Sequence, residues 1–401
     1  MGVAGLSPAR LRRMHDIMAG HVERGSPPGI VTLIWRRGEM HVDVIGSMAA
    51  GSAAPMTPET IFRIASLTKP IIAAAAMILV EECRLRLDDP VDPWLPELAD
   101  RKVLRRLEGP LNDTVPATRA VTLRDLLTFR LGHGAVMVFP EKYPIQRAMA
   151  EAGVTPGPVL PSCSSNELMR RYGSLPLLHQ PGERWLYNSG SDILGVLIAR
   201  VSGGTLEQFL RERIFAPLGM RDTGFSVPEA DLDRLATCYR TDPATHALAI
   251  FDGVRDGRFA KPPLFQSGAG GLVSTAGDYL AFGRMMLAKG RYGSERILSR
   301  ASIELMTTDH ITSEQKAASP FFPGFWESRG WGFGLSVITQ RRDLAGNPGR
   351  FGWDGGYGTS AYMDPHEDLA AILMTQLLWD SPAGPAVYRD FWTTVYQAID
   401  D

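Results

Sequence analysis

The chain has 401 residues, a length that suits two domains or one large domain carrying an insertion. Its 44% apolar and 21% charged content is ordinary for a soluble globular protein. A formal net charge of -2 gives no broad electrostatic pull toward nucleic acid or an anionic membrane, which excludes partners held by general charge alone.

The first residues, MGVAGLSPARLRRMHDIMAGHVERG, lack the apolar core and small-residue cleavage site of a secretory signal. No run is long and apolar enough to span a bilayer; the best candidate, Ile71 to Val80, stops at Glu81. Cys83, Cys163 and Cys238 are odd in number and share no metal-like or redox-like spacing. The expectation is a cytoplasmic protein with reduced thiols, no nucleic-acid or membrane partner, and an oligomeric state left open.

Leu11, Met14, Ile17, Met18 and Val22 put one apolar stripe on a first helix, with Arg10, Arg12 and Arg13 read as its solvated face. Alternation then predicts two strands, Ile30 to Arg36 and Glu39 to Gly46, turning at Arg37-Gly38. From Ser66 to about Lys261 the pattern is mostly helical, with segments expected at 71–82, 122–129, 165–172, 191–201 and 205–214. Strand character returns in WGFGLSVIT, GTSAYMD and LAAILMTQ, and a last helix is expected over 385–398. There is no internal repeat.

This order predicts an α/β (α+β) protein whose antiparallel sheet is built from both ends of the chain. Residues 1–65 and 267–401 would form the α/β domain and 66–266 a mostly helical one, with a small-molecule cleft where they meet. The loops 140–161 and 261–266 are expected to set the dimensions of that cleft.

Two S-x-x-K pairs occur, Ser66/Lys69 and Ser313/Lys316. The second lies in a polar, helix-poor stretch and serves as a control for chance. Ser66 differs, because Pro70 cannot donate to the residue-66 carbonyl and its ring clashes there, so a regular helix should begin near Ser66. At that place free N–H groups favour developing negative charge, and Lys69 lies one turn on. Ala73 to Ala76 permit close packing around the lysine stem, and a desolvated lysine has a lowered pKa and can act as a base. Alone, the pair fits equally an N-cap serine with an exposed first-turn lysine, so partners are needed.

The segment RWLYNSGSDILGV places Tyr187 just before an apolar helix, where a phenol near an N-terminus and a lysine is expected to ionise more easily; the alternative is a core tyrosine with one satisfied hydroxyl. In FGWDGGYGTSAYMDP, Gly355 and Gly356 let backbone approach a ligand, and a strand-edge N–H there could join that of Ser66 around an oxyanion; otherwise the pair is a bulge or tight turn.

Ser66-x-x-Lys69, then Tyr187-Asn188-Ser189, then Trp353-Asp354-Gly355-Gly356, in that order, resemble the serine β-lactamase and penicillin-binding-protein-like superfamily. Within it the chain most resembles the class C β-lactamase-like esterases, the family VIII carboxylesterases. MTPETIFRIASLTKP, LRLDDPVDPWLPEL, VTLRDLLTFRLGHG, IFAPLGMRDTGF, GAGGLVSTAGDYLAFGRMML and WGFGL extend the likeness over most of the chain.

The resemblance implies a β-lactamase/penicillin-binding-protein-like fold and an acyl-enzyme mechanism with Ser66 as nucleophile. Lys69 and Tyr187 share the proton transfers, and the N–H groups of Ser66 and Gly356 form the oxyanion hole. No cofactor and no metal are implied. Ser189 stands where the lactamases have an asparagine that contacts the acyl side chain. Trp353 stands where they have a lysine that pairs with the substrate carboxylate, and an indole offers only an apolar face and one N–H. The expected substrate is therefore a small uncharged carboxylic ester, with Trp353, Gly355, Tyr357 and Ser189 on the substrate side; Trp326, Trp331 and Tyr357 are candidates for an aromatic wall, with at least one of them expected to pack in the core instead.

No G-x-S-x-G is present, none of the eight histidines has a zinc-site spacing, and His133 in LGHG is read as structural. A β-lactamase, an acyltransferase and a non-catalytic ligand-binding protein of the same fold are the alternatives; for the last, the retained Ser-Lys-Tyr set would have no use.

Overall fold

A computed structural model of the protein describes residues 3–379 and 384–401. Strands β1 (Gly29–Arg36), β2 (Glu39–Gly46), β3 (Arg329–Trp331), β4 (Ser336–Ile338), β5 (Phe351–Gly355), β6 (Thr359–Asp364) and β7 (Leu369–Thr375) form one antiparallel sheet in the order β3-β4-β5-β6-β7-β1-β2. The register Ile30↔Thr375 through Arg36↔Leu369 zips the early hairpin onto the last strand. Both ends of the chain thus build one sheet, as the alternating segments predict.

Five helices matter for the site and its support: α1 (Pro8–Glu23), α2 (Thr68–Glu81), α3 (Ser189–Ser202), α4 (Ala276–Leu287) and α5 (Ala386–Gln397). β7 is buried along its whole length because both faces of the sheet are covered. Successive side chains on a strand point to opposite faces. Ala370, Ile372 and Met374 therefore join the main core with α2 and α4, while Leu369, Ala371 and Leu373 join a second core with α1 and α5. Of the predicted stripe on α1, Leu11, Met14 and Met18 are buried there and Ile17 and Val22 half-buried. Arg10 reaches the Gln397 and Ile399 carbonyls, tying α1 to the end of α5.

α2 is buried on every side from Thr68 to Leu79, which explains its near-continuous apolar sequence. Its small residues admit a close neighbour: Gly334, in the WGFGL turn at φ 68°, sits where a Cβ would lie 3.2 Å from Ala73 Cβ. α3 packs along α2 and ends at Gly203 in the left-handed conformation.

The segment expected as one helix over 205–214 is helical, α over Leu206–Leu210 and then widened into a π-helical turn over Arg211–Phe215. Pro217 cannot donate to the residue-213 carbonyl, and the ladder opens just ahead of it. The middle of the chain also holds two hairpins that its helical pattern hides, Lys102–Leu104 with Thr114–Pro116 and Cys238–Thr241 with Leu248–Asp252. α4, capped by Thr275, has no counterpart among the expected helices. Among the described residues no single helix is long and apolar enough to cross a membrane.

Candidate active site

Ser66 lies in a short 3-10 turn, Ala65–Leu67, and α2 follows at Thr68. The turn starts from Ala65 at φ 44°, a left-handed conformation that a residue with a Cβ adopts only under constraint. The constraint comes from β5 and β6: Thr359 Oγ1 donates to the Ile64 carbonyl at 3.1 Å, and Gly355 abuts that same carbonyl. A Cβ on Gly355 would lie 2.5 Å from Ile64 O and 2.1 Å from Thr359 Oγ1, so only glycine lets the strand end dock beside the serine turn. Gly355 is thus a packing residue and does not line the cavity, unlike its place in the sequence expectation.

Lys69 is completely buried, with Nζ 2.9 Å from Ser66 Oγ and 2.5 Å from the Ala269 carbonyl, to which it donates. Burial lowers its pKa from 10.5 to about 7, against the opposing field of Asp192. Asp192 is also buried, and desolvation pushes its carboxyl upward; Oδ1 accepts from Ser267 Oγ at 2.6 Å and from the Ala269 N–H at 3.0 Å. One carboxylate on α3 therefore holds the loop whose carbonyl orients the lysine.

Tyr187 packs against Phe129, Trp185, Phe321 and Trp353, with Lys69 Nζ 4.7 Å from its ring centre. Its hydroxyl accepts from Trp353 Nε1–H at 2.6 Å and is hydrogen-bonded to Ser66. Desolvation pushes the phenol above its ordinary value, and the bonds to Ser66 and Trp353 oppose this only in part. The expectation of a readily ionised tyrosine is corrected: the resting phenol is protonated, because its apolar surroundings outweigh its hydrogen bonds.

Ser66, Tyr187, Trp353, Gly356 and Tyr357 line one cavity of about 930 Å3. Among the described residues neither the Ser66 nor the Gly356 N–H donates to a protein acceptor, and a Cβ on Gly356 would meet nothing within 4 Å. Tyr357 OH donates to the Pro158 carbonyl and so ties down the loop 153–162 that forms one wall. The loop 261–266 does not reach the cavity; its neighbours Ser267, Ala269 and Gly270 do.

Ser189 is placed differently from the expectation. It opens α3 with its side chain turned inward, 3.1 Å from His133 Nδ1, and Asn188 lines the cavity in its stead. His133 is itself buried off the cavity, and desolvation lowers its pKa to about 3. Trp331 is fully buried against Trp353 and Phe129, and Trp326 bonds the Ser319 carbonyl, so neither forms the expected wall. Phe321 and Phe322 line it instead. Ser313 and Lys316 lie on a short helix, Ser313–Ala318, that the polar sequence hides, and Lys316 pairs with Asp309 at 2.5 Å, away from the cavity.

Asp192 is the site residue that sequence reasoning missed. Its signal was a lone acid on a helix otherwise apolar from Ile193 to Ile198, at a first-turn position where an acid reads as a routine complement to the helix dipole. Among the described residues no cluster of three metal-ligating side chains occurs.

The chain is 40% identical over 360 residues to Protein Rv1367c of Mycobacterium tuberculosis, covering 88% of this chain and 87% of that protein. It is 31% identical over 376 residues to Esterase EstB of Burkholderia gladioli, covering 89% and 88%. Among solved structures, EstCE1, described as a hydrolase with promiscuous acyltransferase activity, superposes with a TM-score of 0.78 at 26% identity over 98% of this chain and 99% of that one. The family described as Beta-lactamase matches residues 14–387, a span that takes in the serine turn, the tyrosine and the whole sheet. On that match the chain belongs to the β-lactamase family and carries its serine-hydrolase fold.

Proposed function

We propose that the protein is a carboxylesterase of the family VIII type, acting through an acyl-enzyme on carboxylic esters that carry no charge beside the scissile bond. The observation that carries this reading is the contact of Ser66 with a buried Lys69 of lowered pKa and a protonated Tyr187 on one cavity wall. Ser66 Oγ attacks the ester carbonyl while its proton passes to Lys69 Nζ. The oxyanion is held by the N–H groups of Ser66 and Gly356. Tyr187 gives its proton to the departing alkoxide and regains one from Lys69. Water then attacks the acyl-enzyme, the pair takes its proton, and the acid leaves with Ser66 restored.

Lys69 is the resting base in this scheme, since its pKa of about 7 leaves a large neutral fraction at neutral pH, whereas Tyr187 stays protonated. Trp353, in place of a cation, leaves a substrate carboxylate unpaired beside the scissile bond. The cavity of about 930 Å3 gives room for acyl or alcohol groups well beyond a small ester. The same volume supports a second reading: an alcohol bound beside the acyl-enzyme would be acylated in place of water, and EstCE1 is described as having such a side activity.

The test is steady-state hydrolysis of p-nitrophenyl acetate, butyrate and octanoate beside a chromogenic cephalosporin, for wild type and Ser66→Ala. Ester turnover lost in Ser66→Ala, with little lactam cleavage, supports the reading; efficient lactam turnover overturns the substrate assignment. Product analysis with added butanol separates hydrolysis from acyl transfer. Failure of a fluorophosphonate probe to label Ser66 would favour a ligand-binding protein instead.

A further inference from the structure

The cavity extends past the reacting groups. On β5, Trp353 faces Tyr187, while Asp354, the next residue, faces the other side of the sheet and accepts from Ser360 Oγ at 2.6 Å and Tyr362 OH at 3.0 Å. β4 pairs with β5 only at Phe351 and Gly352, so the edge from Trp353 to Gly355 is open on that side. The same cavity that touches Ser66 also touches Asp354, Tyr362, Arg329, Arg350 and Trp392, and therefore extends from the Trp353 side to the Asp354 side of the sheet, into a far lobe beside the second core.

The far lobe is built around cations. Arg329 is 29% exposed; its Nη1 donates to Tyr362 OH at 3.2 Å and lies 4.0 Å from Asp354 Oδ2, and among the described residues its other guanidinium nitrogens have no protein partner. Arg350 is 6% exposed and held between the rings of Tyr362 and Trp392, 4.2 and 4.0 Å from their centres. Its Nη1 donates to the Ala345 carbonyl at 2.8 Å, its Nε and Nη2 are buried without a partner, and among the described residues no carboxylate pairs with it. A buried cation without a counter-ion is costly, and an anion entering the lobe supplies the missing partner. Asp354 pairs loosely with Arg329, at 4.0 Å, and among the described residues makes no ion pair with Arg350, so Arg350 is the cation left without a counter-ion. The exposed Asp343 also lines the cavity and acts on Arg329 from a distance, while Arg389 donates to the Gly384 carbonyl.

We propose that the far lobe is a subsite for a carboxylate at the distal end of the substrate, received by Arg329 with Arg350 behind it. The planar guanidinium fork suits a carboxylate, and the proposal rests on the esterase reading of the near lobe. Two features then sort esters by where their charge lies. Trp353 disfavours an anion next to the scissile carbonyl, and the far arginines favour one several carbons away.

The experiment compares matched esters on wild type and Arg329→Met, with the melting temperature of each protein recorded. Mono-p-nitrophenyl adipate, suberate and sebacate carry the charge on the acyl side, with p-nitrophenyl hexanoate, octanoate and decanoate as neutral partners. Acetates of 6-, 8- and 10-hydroxyalkanoic acids carry it on the alcohol side, with hexyl, octyl and decyl acetate as partners. The expected result is that, on one side and for at least one length, Arg329→Met lowers kcat/KM of the acid tenfold or more and leaves the neutral ester within about twofold. Equal changes in both members of every pair, or no change in any, overturn the subsite while leaving the esterase reading intact. If wild type turns over no ester, the esterase reading fails on its own, and calorimetric binding of suberate decides the lobe: binding lost in Arg329→Met upholds it, and no binding to wild type sinks it.

Discussion

The indole N–H of Trp353 donates to the Tyr187 hydroxyl at 2.6 Å, joining the third sequence motif to the second. The tryptophan is thus placed to steady negative charge on the phenol as well as lining the pocket. Trp353→Phe keeps an aromatic face and removes the donor. A hydrogen bond to a developing charge is worth about 1.5–3 kcal/mol. The expected outcome is a fall in kcat of about 10- to 100-fold on p-nitrophenyl butyrate with KM little changed; an unchanged kcat would limit Trp353 to packing.

In the proposed mechanism Lys69, with its pKa lowered to about 7, would set the acid limb of the pH profile. There the neutral amine accepts the Ser66 proton, so the active form is lost as pH falls. The kcat/KM for a neutral ester should drop about tenfold per unit below 7 and level off above it. Lys69→Met should remove both the activity and the limb. A profile flat from pH 5 to 8 would exclude Lys69 as the base.

Asp192 raises the lysine's pKa against the larger effect of burial. Asp192→Asn keeps an oxygen acceptor for Ser267 Oγ and the Ala269 N–H but removes the charge. Lys69 then becomes easier to deprotonate, and the acid limb should move to lower pH. A merely structural aspartate would change kcat or stability without moving the limb. A limb that stays in place would therefore refute the electrostatic role.

The two adjacent glycines should respond differently to an added methyl. At Gly355 the new Cβ meets Thr359 Oγ1 and Ile64 O far inside contact distance, so Gly355→Ala should cost roughly 2–3 kcal/mol in urea unfolding and displace the serine turn. At Gly356 the space is open, and Gly356→Ala should unfold within about 0.5 kcal/mol of wild type. Equal destabilisation by both would contradict this docking.

Some of the site was readable one segment at a time. Ser66 and Lys69 are separated by one helical turn, and Pro70 limits where that helix can begin, so their contact follows from local geometry. The strands of the sheet carry alternation or unbroken apolar runs, and β1, β2, β6 and β7 appear near their expected places. The helix over Ser313–Ala318 was hidden because its polar residues leave no apolar stripe, and the hairpin at Cys238–Thr241 because its strands are short and interrupt a helical region.

The sequence by itself determined which residue types could do chemistry and on which local elements they sit, because helical and strand periodicity, proline and glycine act over a few residues. Only the tertiary structure decided which of them share a wall. It turned Ser189 into the protein and Asp192 toward the lysine, set Gly355 against the carbonyl of Ile64 ahead of Ser66, placed the Trp353 N–H on Tyr187, and opened the cavity toward Arg329. Each of these depends on packing between segments far apart in the chain, which local periodicity does not encode.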